Sequence, residues 1–154
     1  MSESDWTPPW RTPEPGRLIG RGHPAGDYLE AYAWNVVEKK QGYLKLDVHV
    51  PDRLKSPRGH LFGGFTPTYV DLVALHTVRA GRETKGPWRW LATANMRVDY
   101  FEPVWGPRFL IESWLIKSRG RTHFVETRFQ DEQGELLVLA VTTLRDIPAE
   151  QAGT

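Results

Sequence analysis

The stretch from Ser56 to Asp71 reads SPRGHLFGGFTPTYVD. It places a Gly-Gly pair, Gly63 and Gly64, at the predicted start of a helix. The first backbone N–H groups of a helix have no intrahelical acceptor, so such a terminus binds an anion or a developing oxyanion. Because glycine has no side chain, a ligand can approach the backbone closely there. The pair therefore predicts an anion- or oxyanion-binding turn.

Asp71 follows Gly64 by seven residues and stands among apolar neighbours in the predicted helix. The run YVDLVAL over 69–75 is apolar on every side, which is typical of a buried helix. A carboxylate on a buried helix costs free energy unless a partner pairs with it. A structural ion pair with Arg97 or Arg128 is one interpretation. The spacing from the glycine pair favours the other, a functional acid.

The composition limits the classes of function. The 154 residues favour one domain, and the net charge of +1 indicates neither nucleic acid nor a membrane surface as a partner. The absence of cysteine excludes disulfides, thiolate metal sites and a cysteine nucleophile. The N-terminus lacks the pattern of a signal peptide, and no apolar run approaches the ~20 residues that span a bilayer, so a cytoplasmic protein is expected.

Three segments are predicted along the chain. Residues 1–26 are rich in proline, which breaks helices and removes hydrogen-bond donors, so this arm is expected to be extended or partly flexible. Residues 27–147 are expected to form a single domain. Residues 148–154 are expected to form a C-terminal tail.

The domain is predicted to contain one hairpin, one long helix and a series of strands. The hairpin turns at Gln41-Gly42, and the helix runs from Gly63 to Ala80 with Gly81 after its end. Further strands are predicted over 91–101, 109–117, 122–130 and 135–146. The fold class is therefore α+β, with an antiparallel sheet of five or six strands wrapped around one long central helix.

The strand over 91–101 alternates with a period of two. One face receives the mainly apolar set Ala94, Met96, Val98 and Tyr100. The opposite face receives Thr93, Asn95, Arg97 and Asp99. This alternation predicts that Thr93 points away from the apolar stripe.

The order of hairpin, glycine-opened helix and strand meander is similar to the hotdog fold. The segment SPRGHLFGGFTPTYVD resembles the N-P-x-G-x-x-H-G-G-x6-D signature of the phenylacetate-pathway (PaaI-like) hotdog acyl-CoA thioesterases. The matching positions are Pro57, Gly59, Gly63, Gly64 and Asp71. The chain departs from the signature at two positions, with Ser56 for Asn and Phe62 for His, and a histidine, His60, stands two residues earlier.

Three further segments resemble the same family. TANMRVDYFEP matches its T-x6-Y-x-x-P strand through Thr93, Tyr100 and Pro103. SRGRTHFVE and DEQGELLVLAVTT resemble its two closing strands. Together the resemblance covers roughly residues 30–146, and four segments in the family's order make it specific.

The resemblance implies an acyl-CoA thioesterase that is a homodimer or homotetramer. In that family the Gly64 N–H would polarise the thioester carbonyl, and Asp71 would act as general base or nucleophile. Thr93 would hold the water or orient the carboxylate. Two subunits would share each site, the acid coming from one and the glycine amide from the other. No metal and no cofactor are implied, since coenzyme A enters as part of the substrate.

The remaining candidate residues are assigned to substrate binding. They are Gly63, Phe62, His60, Ser56, Arg119 and Arg121. The two arginines stand in a predicted turn, where they are placed either to meet the phosphates of coenzyme A or to be solvated. His76 follows Asp71 by five residues and does not share its helix face, so a packing role is favoured over a catalytic dyad.

Two other functions stay open. A hotdog protein that binds acyl-CoA or another small ligand without catalysis is compatible with Ser56 and Phe62. A hotdog hydratase or dehydratase is ranked lower, because the arrangement of His60 and Asp71 does not match the motifs of those enzymes.

Overall fold

The computed structural model describes residues 7–82 and 90–148, so most of the predicted C-terminal tail and the first six residues of the predicted arm lie outside the described residues. The two α-helices are α1 (Pro24–Tyr28) and α2 (Thr66–Arg79). The strands are β1 (Asn35–Lys40), β2 (Tyr43–His49), β3 (Leu91–Tyr100), β4 (Arg108–Arg119), β5 (Thr122–Gln130) and β6 (Leu136–Asp146).

All six strands form one antiparallel sheet in the order β1-β2-β4-β5-β6-β3. The hairpin at Gln41-Gly42 joins β1 to β2 as predicted. β1 and β3 are the edge strands. After β2 the chain passes through α2 to the opposite edge of the sheet, where β3 pairs with β6. The predicted α+β class is confirmed, with six strands.

The long helix lies on the inner face of this sheet. It begins with a 3-10 turn over Gly63–Phe65 and continues as α2 to Arg79, within one residue of the predicted end. Pro67 stands in the first turn, where its missing N–H removes no intrahelical bond. The buried side chains of α2 are Thr66, Tyr69, Val70, Leu72, Val73, Ala74, Thr77 and Val78.

The core forms around the middle of α2 and is rich in aromatic rings. The Trp34 ring stacks on Tyr69 at a centroid distance of 5.5 Å, and Phe129 lies edge-on to Tyr69 at 6.1 Å. Leu18 and Ile19 from the proline-rich segment are buried in the same core. That segment therefore covers part of the helix that the sheet does not reach.

The alternation predicted for β3 is wrong at Thr93. Thr93 pairs with Leu144, but Asn95 pairs with Thr143, so Ala94 is an extra residue in a β-bulge. Residues directly opposite in an antiparallel pair point to the same face, and Leu144 is fully buried on the helix side. The bulge therefore moves Thr93 to the face of α2. A period of two cannot show this, because the bulge depends on the pairing with β6.

The helix end is fitted closely against the β1–β2 turn. Gly81 has a positive φ of +73°, and a Cβ there would lie 2.5 Å from the Cα of Gln41. The Gly42 N–H donates to the Ala80 carbonyl at 3.1 Å. Glycine at position 81 is thus required both by its backbone conformation and by space.

We expect Gly81→Ala to lower the free energy of unfolding by about 2–4 kcal/mol, because left-handed strain adds to a backbone clash. Gly134→Ala is the matched control, since its φ is +81° and nothing lies within 4 Å of the added methyl group. The control is expected to lose only about 1–2 kcal/mol in urea unfolding. Equal losses in the two variants would contradict the steric argument.

Candidate active site

The glycine pair opens the helix at a free N-terminus. Gly63 and Gly64 belong to the 3-10 turn that precedes α2, and the first N–H groups of a helix lack intrahelical acceptors. No acceptor in residues 7–82 or 90–148 binds either N–H group. The arrangement is chemically able to donate hydrogen bonds to an oxygen that gains negative charge.

The segment before the glycines is held by backbone hydrogen bonds. The Ser56 N–H donates to the His60 carbonyl at 2.7 Å, which closes a tight turn that contains Gly59 at φ +96°. The Leu61 N–H donates to the Val104 carbonyl at 3.0 Å. The entry to the helix is therefore fixed to the loop between β3 and β4.

The first residue of the glycine pair is also bound from β3. The Tyr100 hydroxyl donates to the Gly63 carbonyl at 2.7 Å, and the Thr66 N–H donates to the same oxygen. Tyr100 matches the family strand in the sequence, but the resemblance implied no role for it. A tyrosine at the end of a predicted strand gives no local signal of a contact with a turn 37 residues away in the chain.

Asp71 and Thr93 are brought together near the N-terminal end of β3, whereas Tyr100 lies at its C-terminal end. Asp71 is half-buried on α2, and the Thr93 hydroxyl donates a hydrogen bond to one of its carboxylate oxygens. The bulge at Ala94 makes this contact possible because it turns Thr93 toward the helix. The carboxylate therefore has a partner that orients it without neutralising its charge.

The proposed arginine partners of Asp71 are bound elsewhere. Arg97 forms an ion pair with Asp99 at 3.1 Å, and Arg128 forms one with Glu126 at 3.0 Å. The register places both arginines on the outer face of the sheet, away from α2. The interpretation that Asp71 forms an ion pair with Arg97 or Arg128 is thus wrong.

The two polar ends of the site are separated along the helix. Seven residues advance the backbone by about 10 Å and turn it through nearly two full turns, so Gly64 and Asp71 lie on one side of the helix but far apart. The contacts of Thr93 with Asp71 and of Tyr100 with Gly63 show that β3 runs antiparallel to α2. One edge strand therefore contacts both ends.

Neither nearby histidine contacts the carboxylate among the described residues. His76 donates from Nδ1 to the Leu72 carbonyl at 2.9 Å, and its burial lowers its pKa to about 4. His60 contacts the Leu61 carbonyl at 3.0 Å and lies edge-on to Trp105 at 5.0 Å. His76 is thus neutral at neutral pH and fulfils the packing role expected of it.

Phe62 lies directly beside the glycine pair. A Cβ added to Gly64 would lie 3.2 Å from a carbon of the Phe62 ring. This ring is 52% exposed, and it also contacts Phe65 at a centroid distance of 5.9 Å. An apolar ring therefore stands next to the free N–H groups at the position where the family signature has histidine.

Arg119 and Arg121 are not near the glycine pair in this chain. They flank the β4–β5 turn, and Arg121 donates to the Asp146 carbonyl at 3.2 Å. Across the sheet Arg119 aligns with Ala92, at the Thr93 end of β3. Two strands lie between them, which corresponds to about 14 Å.

The described residues contain neither a metal-binding cluster nor a helix that could span a membrane. In residues 7–82 and 90–148, no three side chains of His, Asp or Glu cluster as metal ligands do. None of the helices in that part of the chain is both long enough and apolar enough to cross a membrane.

Solved structures with the same fold include several thioesterases. A putative thioesterase of Ralstonia eutropha, a phenylacetic acid degradation-related protein, is 17% identical over 82% of this chain and 92% of its own, with a TM-score of 0.68. A thioesterase of Haemophilus influenzae is 15% identical over 80% of this chain and 82% of its own, with a TM-score of 0.67.

A third similar structure contains a ligand. A hypothetical thioesterase of Streptococcus pneumoniae, solved with coenzyme A, is 13% identical over 74% of this chain and 85% of its own, with a TM-score of 0.65. At such identities the likeness shows the fold, which confirms the predicted hotdog architecture. No curated protein matches the sequence.

The sequence itself matches one family model. The model of the thioesterase superfamily covers residues 58–138, which include the glycine pair, Asp71, Thr93 and Tyr100. This match spans more than half of the 154 residues. The chain therefore belongs to the thioesterase superfamily.

Proposed function

We propose that this thioester hydrolase cleaves acyl-CoA to the free acid and coenzyme A, with Asp71 as its acid–base group or nucleophile. The observation that supports this most directly is the hydrogen bond from Thr93 to Asp71, which orients a carboxylate on an otherwise apolar helix. The coenzyme A bound to the Streptococcus pneumoniae protein of the same fold supports the choice of thiol.

The proposed reaction uses two groups of the chain. The Gly64 N–H, assisted by the helix dipole, donates to the carbonyl oxygen as it becomes an oxyanion. Asp71 removes a proton from water, the resulting hydroxide attacks the carbonyl carbon, and the tetrahedral intermediate expels the thiolate of coenzyme A. Alternatively, Asp71 attacks the carbonyl carbon directly and the thiolate of coenzyme A leaves, which gives a mixed anhydride that water then hydrolyses to the free acid and Asp71.

The distance between the two groups favours a site shared by two subunits. A carbonyl oxygen about 3 Å from the Gly64 N–H cannot lie near a water bound by Asp71 of the same chain, which is about 10 Å farther along the helix. β3 is an edge strand, and Tyr100 at its end and Phe101 directly after it are 52% and 55% exposed. We infer a homodimer that forms along this edge. A homotetramer remains a prediction from the family resemblance, and so does a cytoplasmic location from the sequence.

Non-catalytic binding of acyl-CoA is the second candidate function. It is favoured by the Phe62 ring, which places an apolar group where the family has a polar histidine. In that case the same dimer would bind acyl-CoA without hydrolysing it.

We expect Asp71→Asn to lower kcat for acyl-CoA hydrolysis by at least about 100-fold, because it removes the proton acceptor or nucleophile. Free thiol release from short, long and aromatic acyl-CoAs measures this. Asp99→Asn is the matched control, since Asp99 is on the outer face of β3 and binds Arg97. Retained turnover in Asp71→Asn would remove this residue from the mechanism, whereas binding without turnover in the wild type would favour the binding protein.

The role of Thr93 is tested by removing only its hydroxyl. Thr93→Val keeps the branched shape but leaves the carboxylate without its donor, so we expect kcat to fall by about 10- to 100-fold. Thr93→Ser should retain most activity. Thr143→Val, on the outer face of neighbouring β6, is the control and should match the wild type. A fully active Thr93→Val would mean that the hydroxyl does not act on Asp71.

The shared site is tested by mixing two inactive variants. Asp71→Asn and Gly64→Val each lack one half of the site, but a mixed dimer contains one intact pair if the halves come from different subunits. Co-expression in equal amounts should then restore about one quarter of wild-type activity, because half of the dimers are mixed and half of their sites are intact. A mixture with no activity would place both groups of each site in one chain.

A further inference from the structure

The peptide bond between Gly63 and Gly64 contains both the bound carbonyl and the proposed oxyanion donor. In a trans peptide the C=O of one residue and the N–H of the next point in opposite directions within one plane. The Gly63 carbonyl accepts hydrogen bonds from the Tyr100 hydroxyl at 2.7 Å and from the Thr66 N–H. A group that fixes this carbonyl therefore also fixes the direction of the Gly64 N–H.

A peptide between two glycines especially needs such fixation. With no Cβ on either side, it rotates among more backbone conformations than any other peptide, and a left-handed conformation costs it little. The Thr66 N–H is part of the same turn and moves with it. Tyr100 lies on a different element, β3, so its hydroxyl ties the peptide to the sheet.

The same hydrogen bond also strengthens the donor. A hydrogen bond to a carbonyl oxygen polarises the whole peptide, which makes its N–H a better donor on the opposite side. In a site that excludes water this gain acts where charge develops in the transition state.

We propose that Tyr100 is a positioning residue for catalysis: by binding the Gly63 carbonyl it directs and polarises the Gly64 N–H toward the substrate oxyanion. This inference rests on the proposed function, which assigns the oxyanion to Gly64. Tyr100 itself touches no reacting atom. Its effect is on the transition state, because the oxyanion exists only there, and hence on kcat rather than on KM.

The arrangement also assigns a second task to β3. Thr93 and Tyr100 are on the same strand and, because of the bulge at Ala94, on the same face. Thr93 orients the acid on one end of the helix and Tyr100 orients the amide at the other. One strand therefore sets the geometry of both catalytic groups of the chain.

The test compares two tyrosine hydroxyl deletions beside the same turn. Tyr100→Phe removes the hydrogen bond and keeps the ring. Tyr28→Phe is the control: its ring lies 5.8 Å from Phe65, it is 48% exposed, and its hydroxyl has no partner among the described residues. We expect kcat of Tyr100→Phe to fall about tenfold at unchanged KM, and Tyr28→Phe to match the wild type.

A second readout follows the peptide without using activity. The amide nitrogen and proton resonances of Gly64 should shift in Tyr100→Phe and stay in place in Tyr28→Phe, while the unfolding midpoints of both stay near that of the wild type. Unchanged kcat in Tyr100→Phe overturns the inference and leaves the proposed function intact, and so does a fall in kcat without a shift of the Gly64 resonances. A wild type that turns over no acyl-CoA overturns the function, and this inference with it.

Discussion

The structure depends on one helix that is apolar on almost every side. Most side chains of α2 are buried, so the chain must cover the helix from several directions to remove this surface from water. The inner face of the sheet covers one side, and Leu18, Ile19 and Trp34 from the N-terminal third cover another. Asp71 is only half-buried and lies beside the edge strand β3.

The edge strand determines what the site can do. β3 pairs with the sheet through β6 alone, so its own geometry is free to include a bulge, and bulges at edges commonly redirect a side chain. Here the bulge directs Thr93 to Asp71, while the regular part of the strand directs Tyr100 to the glycine pair. Under the proposed function, an alteration of the β3 register would disturb both the acid and the oxyanion donor.

The geometry of α2 also links the proposed reaction to dimer formation. The acid and the glycine amide are on one side of α2, yet about 10 Å apart, a spacing that no side-chain adjustment removes. Under the proposed function, one copy of α2 therefore supplies either the acid or the amide of a given site, but not both. Under the proposed function, activity requires a second copy of the chain, and the exposed edge of β3 offers unpaired backbone groups for that contact.

The fold class, the end of α2 to within one residue, the glycine pair and Asp71 were predictable from the sequence alone, because they follow from local periodicity, helix-end signals and a recognisable signature. The predicted helix start at Gly63 is the start of the 3-10 turn that precedes α2. The sequence did not reveal that Thr93 faces the helix, that Tyr100 binds the Gly63 carbonyl, or that Arg119 and Arg121 lie far from the glycines. These features follow from strand register and bulges, which arise from pairing between segments distant in the chain. The alternation of residues within a strand can be seen in the sequence, but the bulge that reverses it depends on the strand with which it pairs.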